Sequence, residues 1–233
     1  MLHLLRLLIL TTLTLIALPL AAQTRPVVVE LFTSQGCSSC PPADAFLGEL
    51  AERPDVIALS LHVDYWDYLG WRDPFASPAM TQRQRAYAAA HGERSIYTPQ
   101  MVLQGEISAI GHQKDLVNAA ISRLAGEPAR ARVVIRPANG SMLVEIAPLG
   151  PVEPSVVHLV SYAGPQRQQI ARGENRGRSL SYHNVVTNWM RLADWSGDEV
   201  ELTAPVPTMA RGVAVIVQEG VAGAVIGAAK YEF

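Results

Sequence analysis

The chain has 233 residues, with 19 Lys and Arg against 21 Asp and Glu, and 49% of its residues are apolar. A formal charge of −2 gives none of the phosphate attraction on which nucleic-acid binding rests, so no nucleic-acid partner is expected. The length exceeds one average domain, and two domains of roughly 100 residues each are the prior.

Residues 1–22, "MLHLLRLLILTTLTLIALPLAA", open on a short segment carrying Arg6, continue in an apolar run and end on small residues. That is the plan of a secretory signal peptide, cut after Ala22. The competing reading is a membrane anchor, but the unbroken apolar stretch Leu7 to Leu18 is well short of the roughly 20 residues that span a bilayer. No stable membrane insertion is expected after cleavage, and the mature protein belongs in the periplasm or outside the cell. Loss of Arg6 takes the formal charge from −2 to −3.

"PVVVELF" from Pro26 has the continuous hydrophobicity of a strand covered on both faces. After the turn "TSQG" comes "SSCPPADAFLGELAER", in which Ala43, Phe46, Leu47, Leu50 and Ala51 form one helical stripe. Pro41 and Pro42 are tolerable in its first turn, which puts Cys37 at the start of the helix. "DVIALSLHV" is a second apolar strand, completing the ingredients of a parallel strand–helix–strand unit. Residues 64–76, dense in aromatics and without period, read as a structured loop before a helix from Ser77 and Pro78 to about His91. "IYTPQMVLQGEISAIGH" holds two short strands joined at Gln104 and Gly105. A helix follows with Leu116, Ala119, Ala120 and Leu124 on one face, ended by Gly126 and Pro128. Beyond Pro128 the pattern is all-β, with short strands separated by Gly, Pro and Asn turns, as in a sandwich of about 100 residues. The organisation read from the sequence is thus a leader over residues 1–22, an α/β domain over 23–127 and an all-β domain over 128–233.

Cys37 and Cys40 are the only cysteines. In an oxidising compartment paired cysteines usually close long loops, but a bridge across two residues restrains little, so a redox or metal role is the stronger reading. The thiolate is the reactive form, and a helix N-terminus stabilises it. Cys37 is therefore expected to be the accessible, acidic sulfur, with Cys40 one turn deeper to resolve a mixed disulfide. Ser38 and Ser39 either tune the thiolate with their hydroxyls or serve as ordinary helix-start residues. Glu30, a carboxylate within an apolar strand, must be compensated. It either exchanges protons with Cys40 through water at a raised pKa or ends the strand at a wet edge. Pro99 heads a buried strand, a position that points to a special turn, often in cis.

Strand, Cys-x-x-Cys helix, strand, helix, Thr-Pro, hairpin and helix over residues 26–126 together resemble the thioredoxin fold. That resemblance implies a cis Thr98–Pro99 bond packed against the cysteines, with the Thr98 backbone pairing to bound substrate, and it makes Glu30 the buried acid below the disulfide. More narrowly, "VELFTSQGCSSCPPAD", "HVDYWDYLGWRDPF", "YTPQMVLQGE" and "GENRGRSLSYHNVV" resemble a bacterial family of secreted thioredoxin-like proteins catalogued as a domain of unknown function.

Three further groups have two readings each. His62, at the end of the second strand, can join Cys37, Cys40 and Met101 or His112 in a copper(I) or zinc site, although no second Cys-x-x-Cys or spaced His pair supports a metal. Tyr65 and Trp66, with Tyr68, Trp71 and Phe75, either line a substrate groove or pack their own loop, and Asp67, Arg72 and Asp73 either fix that loop or are solvated. Arg172, Arg176, Arg178, Tyr182 and His183 form a basic, polar stretch that is either an exposed hairpin, the preferred reading, or a binding site. The expected function is an exported thiol–disulfide oxidoreductase acting, without a cofactor, on a protein or a small thiol or disulfide. The alternative is a non-catalytic binding protein, either a copper or zinc carrier through the two thiolates or a partner-docking module.

Overall fold

The computed structural model describes residues 25–233. The leader expected over residues 1–22 lies outside the described residues. No helix among them is long and apolar enough to cross a membrane.

The first half is a four-stranded mixed sheet with three helices. Strand β1 (Val27–Thr33) pairs in parallel with β2 (Val56–His62) and antiparallel with β3 (Gln100–Leu103), which pairs with β4 (Ile107–Ile110), giving the order β2-β1-β3-β4. Because side chains alternate across a strand, β1 sorts its residues to two faces. Val27, Val29 and Leu31 meet Phe46, Leu47 and Leu50 of helix α1 (Pro41–Ala51) and Val117, Ile121 and Leu124 of α3 (Lys114–Ala125). Val28 and Phe32 face the other way, towards Met80 and Tyr87 of α2 (Pro78–Ala90). In α3 the stripe is turned from the expected one: Val117, Ile121 and Leu124 are buried, and Leu116 is 62% exposed. Both i+3/i+4 patterns are present in the sequence, and the sheet selects the one bearing the β-branched residues.

Beyond residue 130 nine strands follow. β10 (Val186–Trp195), β7 (Ser155–Tyr162), β12 (Gly212–Glu219) and β13 (Val225–Glu232) form one antiparallel sheet in that order. β11 (Val200–Pro205), β6 (Ser141–Pro148) and β5 (Ala131–Ala138) form a second. The two sheets share a core that includes Met142, Val144, Ile146, Leu159, Val213, Val215 and Val217. β8 (Gln166–Gln169) and β9 (Ser179–Tyr182) make a separate hairpin. The ten-residue β10 has no clean alternation in the sequence, because register shifts at Val186/Asn188 and Arg191/Ala193 insert residues that break the period of two.

The two halves share a core. Val160, Tyr162, Ala214 and Ile216 lie in one apolar cluster with Val28, Phe32, Leu59 and Leu61. The open edge of β2 is covered from the second half: Ser60 N–H donates to Asn184 O at 3.0 Å and Asn184 Nδ2 donates to Ala58 O at 3.0 Å. The β3–β4 turn is held the same way, Gln104 exchanging hydrogen bonds with the backbone of Val225. A Cβ on Gly105, at φ +73°, would stand 2.2 Å from Gly223 O, so that position requires glycine.

Candidate functional site

β1 and β2 run parallel and end together at Thr33 and His62, so their carboxyl ends open on one side of the sheet, where parallel strands commonly present functional groups. The chain leaves Thr33 in a tight turn: Gly36 N–H donates to Ser34 Oγ at 3.1 Å, Cys37 N–H to Ser34 O at 3.2 Å and Cys40 N–H to Cys37 O at 3.3 Å. Cys37 and Cys40 are joined as a disulfide with their Cα atoms 5.4 Å apart.

Two expectations about the sulfurs are corrected. The helix begins at Pro41 with Cys40 as its N-cap, so Cys37 lies in the preceding turn and Cys40 is not a turn further into the helix. The helix also offers the sulfurs few donors. Pro41 and Pro42 lack N–H groups, and the N–H groups of Ala43 and Asp44 both go to Cys40 O, at 2.8 and 3.0 Å. Nor is Cys37 accessible, since both cysteines are 0% exposed. What does approach Cys37 is a serine hydroxyl, Ser39 Oγ lying 3.4 Å from its Sγ. Ser38 contributes its backbone N–H, which donates to the Glu174 carboxylate at 3.1 Å.

A buried polar cluster lies on the α1 side of these strand ends. Thr33 Oγ1 donates to Asp44 Oδ1 at 2.8 Å, while Asp44 Oδ2 has no hydrogen-bond partner among the described residues. Cys40 has helical φ and ψ, so Asp44, four residues on, shares its face of the helix. Burial, opposed by the charge of His62 and the Thr33 hydroxyl, pushes the Asp44 carboxyl up to about 7. His62 Nδ1 lies 2.7 Å from Asp73 Oδ2, and Asp73 also accepts the N–H groups of Gln35 and Phe75, each at 2.9 Å. Burial would raise the Asp73 carboxyl, but the hydrogen bond and charge of His62 with these two amides outweigh it and hold the group below its ordinary value. Phe75 and Tyr182 meet the His62 ring edge-on, with centroids at 5.2 and 5.0 Å. His62 Nε2 and the Tyr182 hydroxyl are buried without partners among the described residues.

The aromatic loop packs on this end of the sheet. Trp66 Nε1 donates to Thr98 Oγ1 at 2.8 Å and Trp71 Nε1 to Gln35 Oε1 at 2.9 Å. A Cβ at Gly36 would stand 3.1 Å from Trp66 Cβ, so the glycine lets Trp66 lie against the cysteine turn. Tyr65 is half-buried and its hydroxyl meets no hydrogen-bond partner among the described residues; Tyr68 is 79% exposed. Asp73 is buried and its N–H donates to Asp67 at 3.1 Å, fixing the loop, whereas Arg72 is exposed. The Thr98–Pro99 peptide is cis. Pro99 O accepts from Gly111 N–H at 3.0 Å, and a Cβ on Gly111 would be 3.0 Å from Ala43 and 3.3 Å from Pro99, so Pro99 lies beside the first turn of α1.

Glu30 is not part of this cluster. Its place in β1 directs it to the opposite face, where Arg83 holds it through two hydrogen bonds of 2.5 and 2.7 Å and the Tyr87 hydroxyl donates to it at 2.6 Å. Arg83 also donates to Gln218 Oε1 at 3.1 Å and stacks 3.7 Å from the Trp189 ring centroid. This is compensation of a buried carboxylate by a cation, and the proton exchange with Cys40 expected of Glu30 is corrected accordingly. Of the alternative metal set, Cys37 and Cys40 are joined as a disulfide, His62 has Nδ1 2.7 Å from Asp73, Met101 lies in the apolar core on the α1 side and His112 is exposed. In this oxidised state no group of three or more His, Cys, Asp or Glu among the described residues could hold a metal ion.

Four contributors were missed in the sequence. Asp44 carried a signal, a lone carboxylate between Ala43 and Phe46 of the apolar stripe and one turn from Cys40. Tyr182 was read as part of an exposed hairpin and is buried against His62. Glu174 and Asn175, within "GENRG", carried none: their roles come from a turn that meets the cysteines more than 130 positions away, Asn175 Nδ2 donating to Gln35 O at 3.0 Å and to Cys37 O at 2.9 Å.

The chain resembles solved structures, among them the following two. Protein AGR_C_4864 from Agrobacterium tumefaciens is 32% identical, with 88% of this chain and 93% of that one covered and a TM-score of 0.77. HBP35 of Porphyromonas gingivalis is 16% identical, with coverage of 90% and 76% and a TM-score of 0.60, a likeness of fold alone. No curated protein matches the chain. Residues 28–218 match the family described as "Protein of unknown function (DUF1223)", and the chain belongs to that family.

Proposed function

We propose that the protein is an exported thiol–disulfide oxidoreductase, built on a thioredoxin-like domain over residues 26–126 and acting in the periplasm or outside the cell. The observation that carries this reading is the placement of the Cys37–Cys40 disulfide at the start of α1, on the same end of the sheet as a buried carboxyl whose second oxygen has no partner among the described residues. A bridge across two residues contributes little as a staple, and a buried carboxyl with a raised pKa suits proton traffic better than stability.

In the exchange, a substrate thiolate attacks Cys37 Sγ. The substrate–Cys37 bond forms, the Cys37–Cys40 bond breaks, and Cys40 leaves as a thiolate. Protonated Asp44, one helical turn away, supplies the proton that neutralises Cys40 and is left as a carboxylate. A second substrate thiolate then displaces Cys37, so that two substrate thiols are oxidised as the protein disulfide is reduced. The reverse sequence forms substrate thiols and returns the protons.

The test is a Cys40→Ser variant expressed in cells with its leader intact. Mixed disulfides through Cys37 to exported proteins, absent from Cys37→Ser, are the expected result by mass spectrometry. Recovery of none, under conditions that trap a known oxidoreductase, would sink the reading.

A further inference from the structure

We propose that residues 173–175, at the tip of the hairpin formed by β8 and β9, are a latch occupying the place where an extended segment of a protein substrate pairs with the cysteine turn. The inference rests on the oxidoreductase reading and adds the class of partner and a role for the second half of the chain.

Three main-chain groups of the turn are taken by this tip. Asn175 Nδ2 donates to Gln35 O and Cys37 O, and Glu174 accepts the Ser38 N–H. Asn175 is 1% exposed, and its own Oδ1 is held by Arg178 Nη1 at 2.8 Å. Gly173 packs against Trp71, a Cβ there standing 3.3 Å from Trp71 Cβ. Internal bonds from Arg176 N–H to Gly173 O, Gly177 N–H to Ile170 O and Arg178 N–H to Asn175 O make the tip a compact turn carried on its two strands.

The groups so covered are two carbonyls and one N–H within the four residues Gln35 to Ser38, around Cys37. That is the donor and acceptor set which an extended peptide satisfies with its own backbone. With the tip in place neither sulfur reaches solvent; with it lifted, all three groups lose their partners and must find replacements, because unpaired backbone groups are costly. A small thiol can attack the sulfur but satisfies at most one of the three, whereas an extended polypeptide satisfies all of them. The latch thus favours protein segments over small thiols.

The test measures alkylation of Cys37 by iodoacetamide in the reduced, folded protein, in wild type and in the Glu174→Ala/Asn175→Ala double variant. About a tenfold acceleration in the variant, with the thermal transition retained, is expected; an equal rate would overturn the latch. Asn175→Asp, which keeps the shape and places oxygens against the two carbonyls, should accelerate alkylation in the same direction and guards against a misfolded double variant. Reduction of the disulfide by an extended dithiol peptide should exceed that by dithiothreitol of matched potential in wild type, and the ratio should fall in Asn175→Asp. A ratio of one in both proteins would overturn the choice of partner. Alkylation reports access whether or not exchange with substrate occurs, so unlatching without trapped substrates would sink the oxidoreductase reading alone, and trapped substrates with unaltered access would sink the latch alone.

Discussion

Two buried carboxylates on opposite faces of one sheet have opposite fates. Glu30 has a complete set of partners: two guanidinium donors, a phenol, and a glutamine that ties the guanidinium to β12. Asp44 has one hydroxyl donor, and its second oxygen has no partner among the described residues. Through Arg83 and Tyr87 of α2 and Gln218 of β12, Glu30 ties both elements to β1. A half-satisfied carboxyl is pushed up by burial to about 7, which is what the proposed proton exchange by Asp44 requires. Burial of an acid near the cysteine pair is therefore no sufficient signal; the number of donors aimed at it separates the two carboxylates.

The largest expected effect breaks the Glu30–Arg83 pair. Arg83→Met should leave Glu30 buried and uncompensated and cost about 3–5 kcal/mol, read as a lower urea midpoint. The alkylation rate of Cys37 in the folded protein should stay as it was, and a changed rate would return Glu30 to the site.

Asp44→Asn gives a smaller effect with a defined pH dependence. Asp44 titrates near 7 in the folded protein and near the ordinary aspartate value of about 4 when unfolded. Between these values the folded chain holds a proton that the unfolded chain has released, so its contribution favours folding in acid and is lost as pH climbs through 7. The variant should therefore gain on wild type between pH 4 and 8, by up to about 4 kcal/mol, in urea titrations at several pH values. Parallel stability curves would remove Asp44 as the titrating group.

The smallest effect sharpens the boundary of the polar side. Trp66→Phe removes the donor to Thr98 and keeps most of the ring, so a loss of about 1 kcal/mol in thermal unfolding is expected. A loss several times larger would mean that the aromatic loop is held by ring packing alone.

How far the sequence carried the reading is seen best in particular residues. Continuous apolar runs marked β1 and β2 as strands covered on both faces, the stripe from Ala43 to Ala51 marked α1, and the spacing of Cys37 and Cys40 marked the reactive turn. These signals are local, because strand alternation, helical periodicity and a two-residue gap are properties of consecutive residues. β10 escaped because bulges spoil its alternation, and the buried stripe of α3 was misplaced because only the sheet could choose between two nearly equivalent faces.

The partners of the site were decided by the tertiary structure alone. Whether Glu30 or Asp44 lies on the side of the cysteines depends on which face of β1 receives α1 and on an arginine 53 positions away. Sequence patterns register that a buried charge must be compensated, not from where. In the same way, nothing in "GENRG" could mark Asn175 as the residue that holds the Cys37 carbonyl. That bond spans 138 positions, and the packing of the second half against the first determines it, since a hydrogen bond requires atoms to meet within about 3 Å, whatever their separation along the chain.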